Sequence, residues 1–293
     1  MKWQEMLPQI NMRLAATMAP NTAIAYQHAI SAFGFSDKPD IDTIVEKTIL
    51  WRNTGTSNAT ILQRFAAVKW IFKHFPREFD PIDILEIRVT MEGVKKDERE
   101  MVFATQEETE KIILLSSARD ALVVGMAYYA GMRIGEIANC KLSHWQVDKT
   151  TGALSILIPT TAVNRTKNQK DRRIPVLPRL EQLFHAYVKG ERSDRIRGMS
   201  KKPDALILTR KGTPTGVCCR VLQLNVFDAC KTAGFPHLHA HSFRHGLATT
   251  LARETGNIKL IKEVLGHKSI SSTMKYIHMT QQEIADNMQA AFD

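Results

Sequence analysis

Four side chains with chemistry to offer lie close together near the end of the chain. They fall in His241-Ser242-Phe243-Arg244-His245, in Leu265-Gly266-His267, and in Lys275-Tyr276-Ile277. His241 and Arg244, three apart, share one face of a helix a turn from each other. Gly266 reads as a helix stop, which puts His267 at a helix end. Tyr276 follows nine residues later, past Ser269, Ser271, Ser272 and Thr273, residues that suit a cap and a turn. The combination suits a phosphodiester. Arginine clamps non-bridging oxygens bidentately, histidine moves protons near neutral pH, and tyrosine can become a covalent nucleophile.

Other elements must hold these groups in place. Ala118 to Ala130 is almost wholly apolar and reads as the buried helix at the centre of a domain. Gly131 ends it, so Arg133 emerges from a rigid element, beside Glu136. Thr105-Gln106-Glu107-Glu108 is a capping box that starts the preceding helix. Leu154–Ile158 and Arg173–Leu177 read as short strands, the second confined to an edge by Pro175. Between them a polar turn, Asn164 to Asp171, carries Lys167. Gly216 to Ala233 reads as a helix with Val217, Val221, Leu224 and Phe227 on one stripe, and Thr280 to Phe292 as a short amphipathic helix with Ile284, Met288 and Phe292 four apart.

His241-x-x-Arg244-His245, Leu265-Gly266-His267 and Tyr276 resemble the C-terminal signature of the tyrosine recombinases, the phage integrase family. Gly131-Met132-Arg133-Ile134-Gly135-Glu136 resembles the family's first arginine motif. Thr166 to Val176 resembles the β-turn that carries its lysine. Five elements in family order, from residue 131 to 276, make the resemblance specific. It implies a mainly α fold with a small β-sheet: a helical core-type DNA-binding domain over residues 1–97, and an α+β catalytic domain with a C-terminal tail helix over 98–293. It implies site-specific DNA strand exchange through a 3′-phosphotyrosine. Tyr276 would be the nucleophile, Arg133 and Arg244 the phosphate clamps, His241 the proton acceptor, Lys167 the general acid, and His267 a hydrogen-bond donor to phosphate. Glu136 would orient its neighbours. The partner would be double-stranded DNA with a specific site, gripped by a homotetramer assembled from a monomer or weak oligomer. Energy kept in the phosphotyrosine makes ATP, metal or other cofactors unnecessary. A type IB topoisomerase, which relaxes DNA with a similar constellation, is the alternative enzyme; a non-catalytic DNA-binding regulator is the alternative of a different class. With only a short stretch ahead of the first domain, the resemblance implies the simple two-domain type without an arm-binding domain.

Charge placement agrees with a nucleic-acid partner. Of 40 Lys and Arg against 30 Asp and Glu, 15 and 5 respectively fall in residues 165–220, whereas residues 1–99 hold 13 and 12. A concentrated basic block is the footprint of a phosphate backbone. Lys170 and Arg172 in the turn are expected on that backbone, as are Arg195, Arg197 and Lys201 in a basic loop from Arg192 to Lys202 that resembles a mobile one. His245, next to Arg244, is expected against DNA too. The first domain should be helical, with helices from Asn21-Thr22 to Phe33, from Asp40 or Asp42 to near Gly55, and from Ser57 to Phe75; Arg64 and Lys69 on the last would reach phosphates. Asp80-Pro81 reads as a short turn, and Val94 to Glu100, with no apolar period, as the linker. Cys140, Cys218, Cys219 and Cys230 lack the spacing of a disulfide framework and read as small hydrophobes. His237, His239, His241 and His245 lack the companions of a zinc site. No apolar run could span a membrane and the N-terminus lacks a signal-peptide core, so the expected compartment is the cytoplasm.

Overall fold

The computed structural model describes residues 2–95, 101–148, 152–159, 171–209, 217–267, 270–274 and 276. They form two compact units, one before residue 96 and one from residue 101 onward. The boundary expected at residue 97 lies outside the described residues.

The first unit is helical: α1 (Trp3–Thr17), α2 (Pro20–Phe33), α3 (Ile41–Asn53), α4 (Asn58–His74) and α5 (Pro81–Glu92). Its core is assembled from one face of each helix. Met6, Ile10 and Leu14 come from α1, and Ile61, Phe65, Val68 and Phe72 from α4. Phe33 lies at the centre, with ring centroids 4.9 Å from Phe35 and 4.8 Å from Trp51. Three expectations change here. α2 begins at Pro20, one residue ahead of Asn21, because proline at the first helical position needs no N–H partner. Asp80-Pro81 starts a helix instead of a turn: the Asp80 carboxylate accepts from the Ile82 N–H at 2.7 Å, capping α5. Val94, assigned to the linker, is buried in this core.

The second unit contains α6 (Gln106–Leu114), α7 (Ala118–Tyr129), α8 (Ile134–Ala138), β1 (Trp145–Val147), β2 (Leu154–Ile158), β3 (Arg172–Pro175), α9 (Pro178–Lys189), α10 (Glu191–Arg195), α11 (Cys219–Thr232), α12 (Ala240–Thr255), α13 (Ile258–Leu265) and α14 (Ser271–Met274). The apolar helix α7 is buried on every side and packed by α6, α9, α11 and α12. Thr105 and Glu108 cap α6 reciprocally. The strands form one antiparallel sheet in the order β1-β2-β3, with Ile156 of β2 paired to Trp145 on one side and Ile174 on the other. β3 is an edge, as Pro175 requires, and it ends there because Leu177 and Pro178 open α9. The fold is thus mainly α with a small sheet. Among the described residues no helix is long and apolar enough to cross a membrane.

Two further expectations are corrected. The basic loop at Arg192 is helical in part, and two of its arginines, Arg192 and Arg195, are turned inward. Arg192 is buried, donating to the carbonyls of Leu206 and Ala205, and Arg195 bonds Glu191 at 2.7 Å and the Thr209 carbonyl at 2.8 Å. On α11 the buried face is Leu222, Val226 and Cys230, while Val221, Leu224 and Phe227 are more than 40% exposed. The stripe had the right period, but α11 packs against α7 and α8 through its other side.

Candidate active site

Two glycines with positive φ create the centre of the site. Gly131 (φ 57°) ends α7 and Gly266 (φ 61°) ends α13. A side chain at Gly131 would also meet the methyls of Leu247 and Leu265 at 3.0 Å, so only glycine fits there. Each turn leaves helix-terminal carbonyls facing inward, and Arg244, rising from the first turns of α12, takes them. Its guanidinium donates to the carbonyls of Gly131 and Leu265. Arg244 is 1% exposed. Burial, and after it the charge of Arg133, lowers its pKa, but a guanidinium stays charged in a protein.

Arg133 caps α8 from outside and bonds Glu136 twice, through its backbone N–H (2.8 Å) and Nη1 (3.0 Å). Its Nη2 lies 3.4 Å from the Gly266 carbonyl. Glu136 is buried and also receives Arg172, at 3.0 and 2.7 Å. Burial alone would raise the Glu136 pKa; hydrogen bonds and charge from Arg172, then Arg133, outweigh it and hold the carboxyl below the usual carboxylate range. Two guanidiniums bond this carboxylate and a third, Arg244, feels its charge, so the cluster keeps an excess of positive charge.

Tyr276 lies within the electrostatic reach of Arg244 and Arg133. Its hydroxyl is 2.5 Å from Nδ1 of His245, and the residue is 7% exposed. Burial pushes the hydroxyl up to about 12 against the opposing charges of Arg244 and Arg133. The His245 ring meets that of His241 edge-on at 4.4 Å, and His241 is exposed. His267 bonds Thr273 at 3.0 Å, its ring parallel to Tyr276 at 6.3 Å. Beside His241 opens a cleft of about 570 Å³ lined by Ile134, Arg220, Gln223, Leu224, Phe227 and His239.

The structure thus brings together Arg133, Glu136, His241, Arg244, His267 and Tyr276 from four separate stretches of chain. Lys167 and Lys170 lie outside the described residues, as does the expected helix from Thr280 to Phe292. Besides Arg195, two residues read as DNA contacts are found elsewhere: Arg172 is bound to Glu136, and His245 is buried against Tyr276. Both had a signal. Arg172 shares a strand face with the buried Ile174, two residues on, and His245 shares a helix face with His241, four residues back. Arg197 and Lys201 are exposed, and so is Lys69; the Arg64 guanidinium lies over the Trp51 ring at 4.0 Å. Among the described residues no group of three His, Cys, Asp or Glu side chains could hold a metal ion.

The family profile for the phage integrases matches residues 91–283. Tyrosine recombinase XerC of Bacillus subtilis is 25% identical over 260 residues, covering 85% of this chain and 79% of that one. XerC of Pseudomonas fluorescens is 25% identical over 297 residues, covering 94% and 91%. Among solved structures, the Tn1549 transposon integrase in complex with circular intermediate DNA has a TM-score of 0.71 at 19% identity, with 99% of this chain and 100% of that one covered. A lambda integrase dimer bound to a core site also has a TM-score of 0.71, at 18% identity and 97% and 98% coverage. These likenesses span both units of the fold, and the profile takes in every part of the arginine, histidine and tyrosine cluster. The chain belongs to the phage integrase family.

Proposed function

We propose that this chain is a tyrosine-type site-specific DNA recombinase, acting in the cytoplasm on duplex DNA as a homotetramer. The observation that carries the reading is the convergence of Arg133, Arg244, His267 and Tyr276 around one positively charged centre. Arg133 and Arg244 hold the non-bridging oxygens of the scissile phosphate and offset the charge that builds up in the transition state. The Tyr276 oxygen attacks phosphorus, and His241 takes the phenol proton once the hydroxyl leaves His245 for the phosphate. The bond to the 5′-oxygen breaks as Lys167 protonates it, leaving a 3′-phosphotyrosine and a free 5′-hydroxyl. Attack by a 5′-hydroxyl of the partner duplex reverses these steps and completes exchange. Lys69, Lys170, Arg197 and Lys201 bind the backbone, and the residues from Thr280 to Phe292 link neighbouring protomers.

The test is covalent trapping on a nicked duplex bearing the site recovered by footprinting. Wild type should give a protein–DNA adduct stable to denaturant, and Tyr276→Phe should give none. An adduct of wild-type yield in the Phe variant, formed through Tyr128 or Tyr129, would remove the assignment.

A further inference from the structure

The Glu136 carboxylate is fully occupied. Oε1 accepts from Nη1 of Arg133 and Nη1 of Arg172, both at 3.0 Å, and Oε2 accepts from the Arg133 backbone N–H at 2.8 Å and Nη2 of Arg172 at 2.7 Å. Two carboxylate oxygens offer about four lone-pair positions, and all four are filled. Such a carboxylate cannot turn, and it has nothing left for a substrate. The arginine it presents is the more exposed of its partners: the Arg133 side chain is 36% exposed, the Arg172 side chain 14%. Arg172 also fills the space beside Gly266, where an added Cβ would come within 2.7 Å of its Nη1. It thus touches both the support of Arg133 and the residue before His267. It stands at the first position of β3, five residues along the chain from Lys167.

We infer that Arg172 is a positioning residue of the active site: its fork fixes the Glu136 carboxylate, and Glu136 in turn fixes Arg133 against the phosphate. A planar bidentate donor suits this task and a lysine does not, since an ammonium offers one point of contact where the carboxylate needs two parallel ones. The inference rests on the recombinase reading above, and it differs from the role expected of an arginine in a basic block. A backbone contact contributes to affinity and to its salt dependence. A positioning arginine contributes to the rate at saturation.

The experiment is a double-mutant cycle with Arg172→Ala, Glu136→Ala and the double variant, scored by single-turnover adduct formation on the nicked duplex at saturating DNA. DNA affinity and thermal midpoint are measured alongside. Arg172→Ala should slow adduct formation by about 100-fold, the scale of losing one oriented charge partner in a transition state. It should change affinity by less than about threefold, because only a phosphate contact would move the salt slope. In the Glu136→Ala background the same change should cost less than about threefold, since coupled residues are not additive. Arg172→Lys, which keeps the charge and serves if the Ala variant unfolds, should have a near wild-type midpoint and remain slow. Full activity in Arg172→Lys, additive effects in the cycle, or a loss confined to affinity would each overturn the inference. Absence of any adduct from wild type would instead defeat the recombinase reading, and the inference with it.

Discussion

Tyr276 is the nucleophile of the proposed reaction, yet in this structure its hydroxyl is buried on His245, and burial pushes its pKa up to about 12. Its ordinary value is near 10. At pH 11 an unperturbed tyrosine is roughly 90% ionised and one with a pKa of 12 roughly 10%. The assay is an alkaline titration of protein labelled with ¹³C at the tyrosine ring carbon bearing oxygen, without DNA, using Tyr276→Phe to assign the resonance. The same displacement enters stability. Below pH 10 both folded and unfolded chains hold the proton, so the contribution is complete and flat. Between 10 and 12 the unfolded chain releases its proton first, and the contribution is lost as pH rises, up to at most about 3 kcal/mol for two units. Urea unfolding of wild type and Tyr276→Phe should therefore converge over that window and run parallel below it. A Tyr276 resonance titrating near 10, or unfolding curves that stay parallel to pH 12, would refute the idea that burial holds the nucleophile neutral.

Three other outcomes are expected. Lys167→Ala should cleave ordinary DNA about 10²–10⁴-fold more slowly, yet cleave a 5′-bridging phosphorothiolate, whose leaving group needs little protonation, at near wild-type rate; selective rescue of Lys170→Ala instead would move the general acid by three residues. Neutralising Arg197 and Lys201 together should lower the log–log salt slope of DNA binding by about 0.9 for each phosphate that is no longer neutralised, while an unchanged slope would mean that they face solvent alone. Gly246→Ala should cost about 3 kcal/mol or more in thermal unfolding, since the new Cβ would come within 2.1 Å of the Ala104 carbonyl and 2.9 Å of the Tyr128 ring.

What was legible in the sequence followed from period and punctuation. The α4 helix opened by Ser57, the buried α7, the α6 capping box and the edge strand at Pro175 are each set by neighbours a few residues away, and each is found in the structure. The errors have the opposite character. Which side of α11 is buried depends on where α7 and α8 lie, not on spacing along α11. α5 was missed because Asp80-Pro81 serves a turn and a helix start equally well, and the helix buries only Ile87 and Met91. Arg195 and Arg172 were read outward because they stand in a basic block; the acid that holds Arg172, Glu136, is reached only after folding, whereas Glu191, four residues before Arg195 on one helix, was a local signal that the basic block masked.

Helix punctuation also explains how a recombination centre can keep so much uncompensated charge out of water. An isolated buried cation is costly unless it is paired, and pairing Arg244 with its own carboxylate would cancel the charge that a phosphate needs. Its guanidinium bonds backbone carbonyls instead, at two places where helices stop: Gly131 just past α7, and Leu265 at the end of α13. Carbonyls at a helix C-terminus lack intrahelical partners and carry the negative end of the macrodipole, so they solvate a cation with partial charges only. Gly131 and Gly266 allow both helices to end in the left-handed conformation that turns those carbonyls inward. The glycines that read as helix stops are therefore what lets Arg244 stay buried, charged and unneutralised. Arg133 has Glu136 as a full counter-charge but shares it with Arg172, so the cluster of three guanidiniums and one carboxylate remains an anion site.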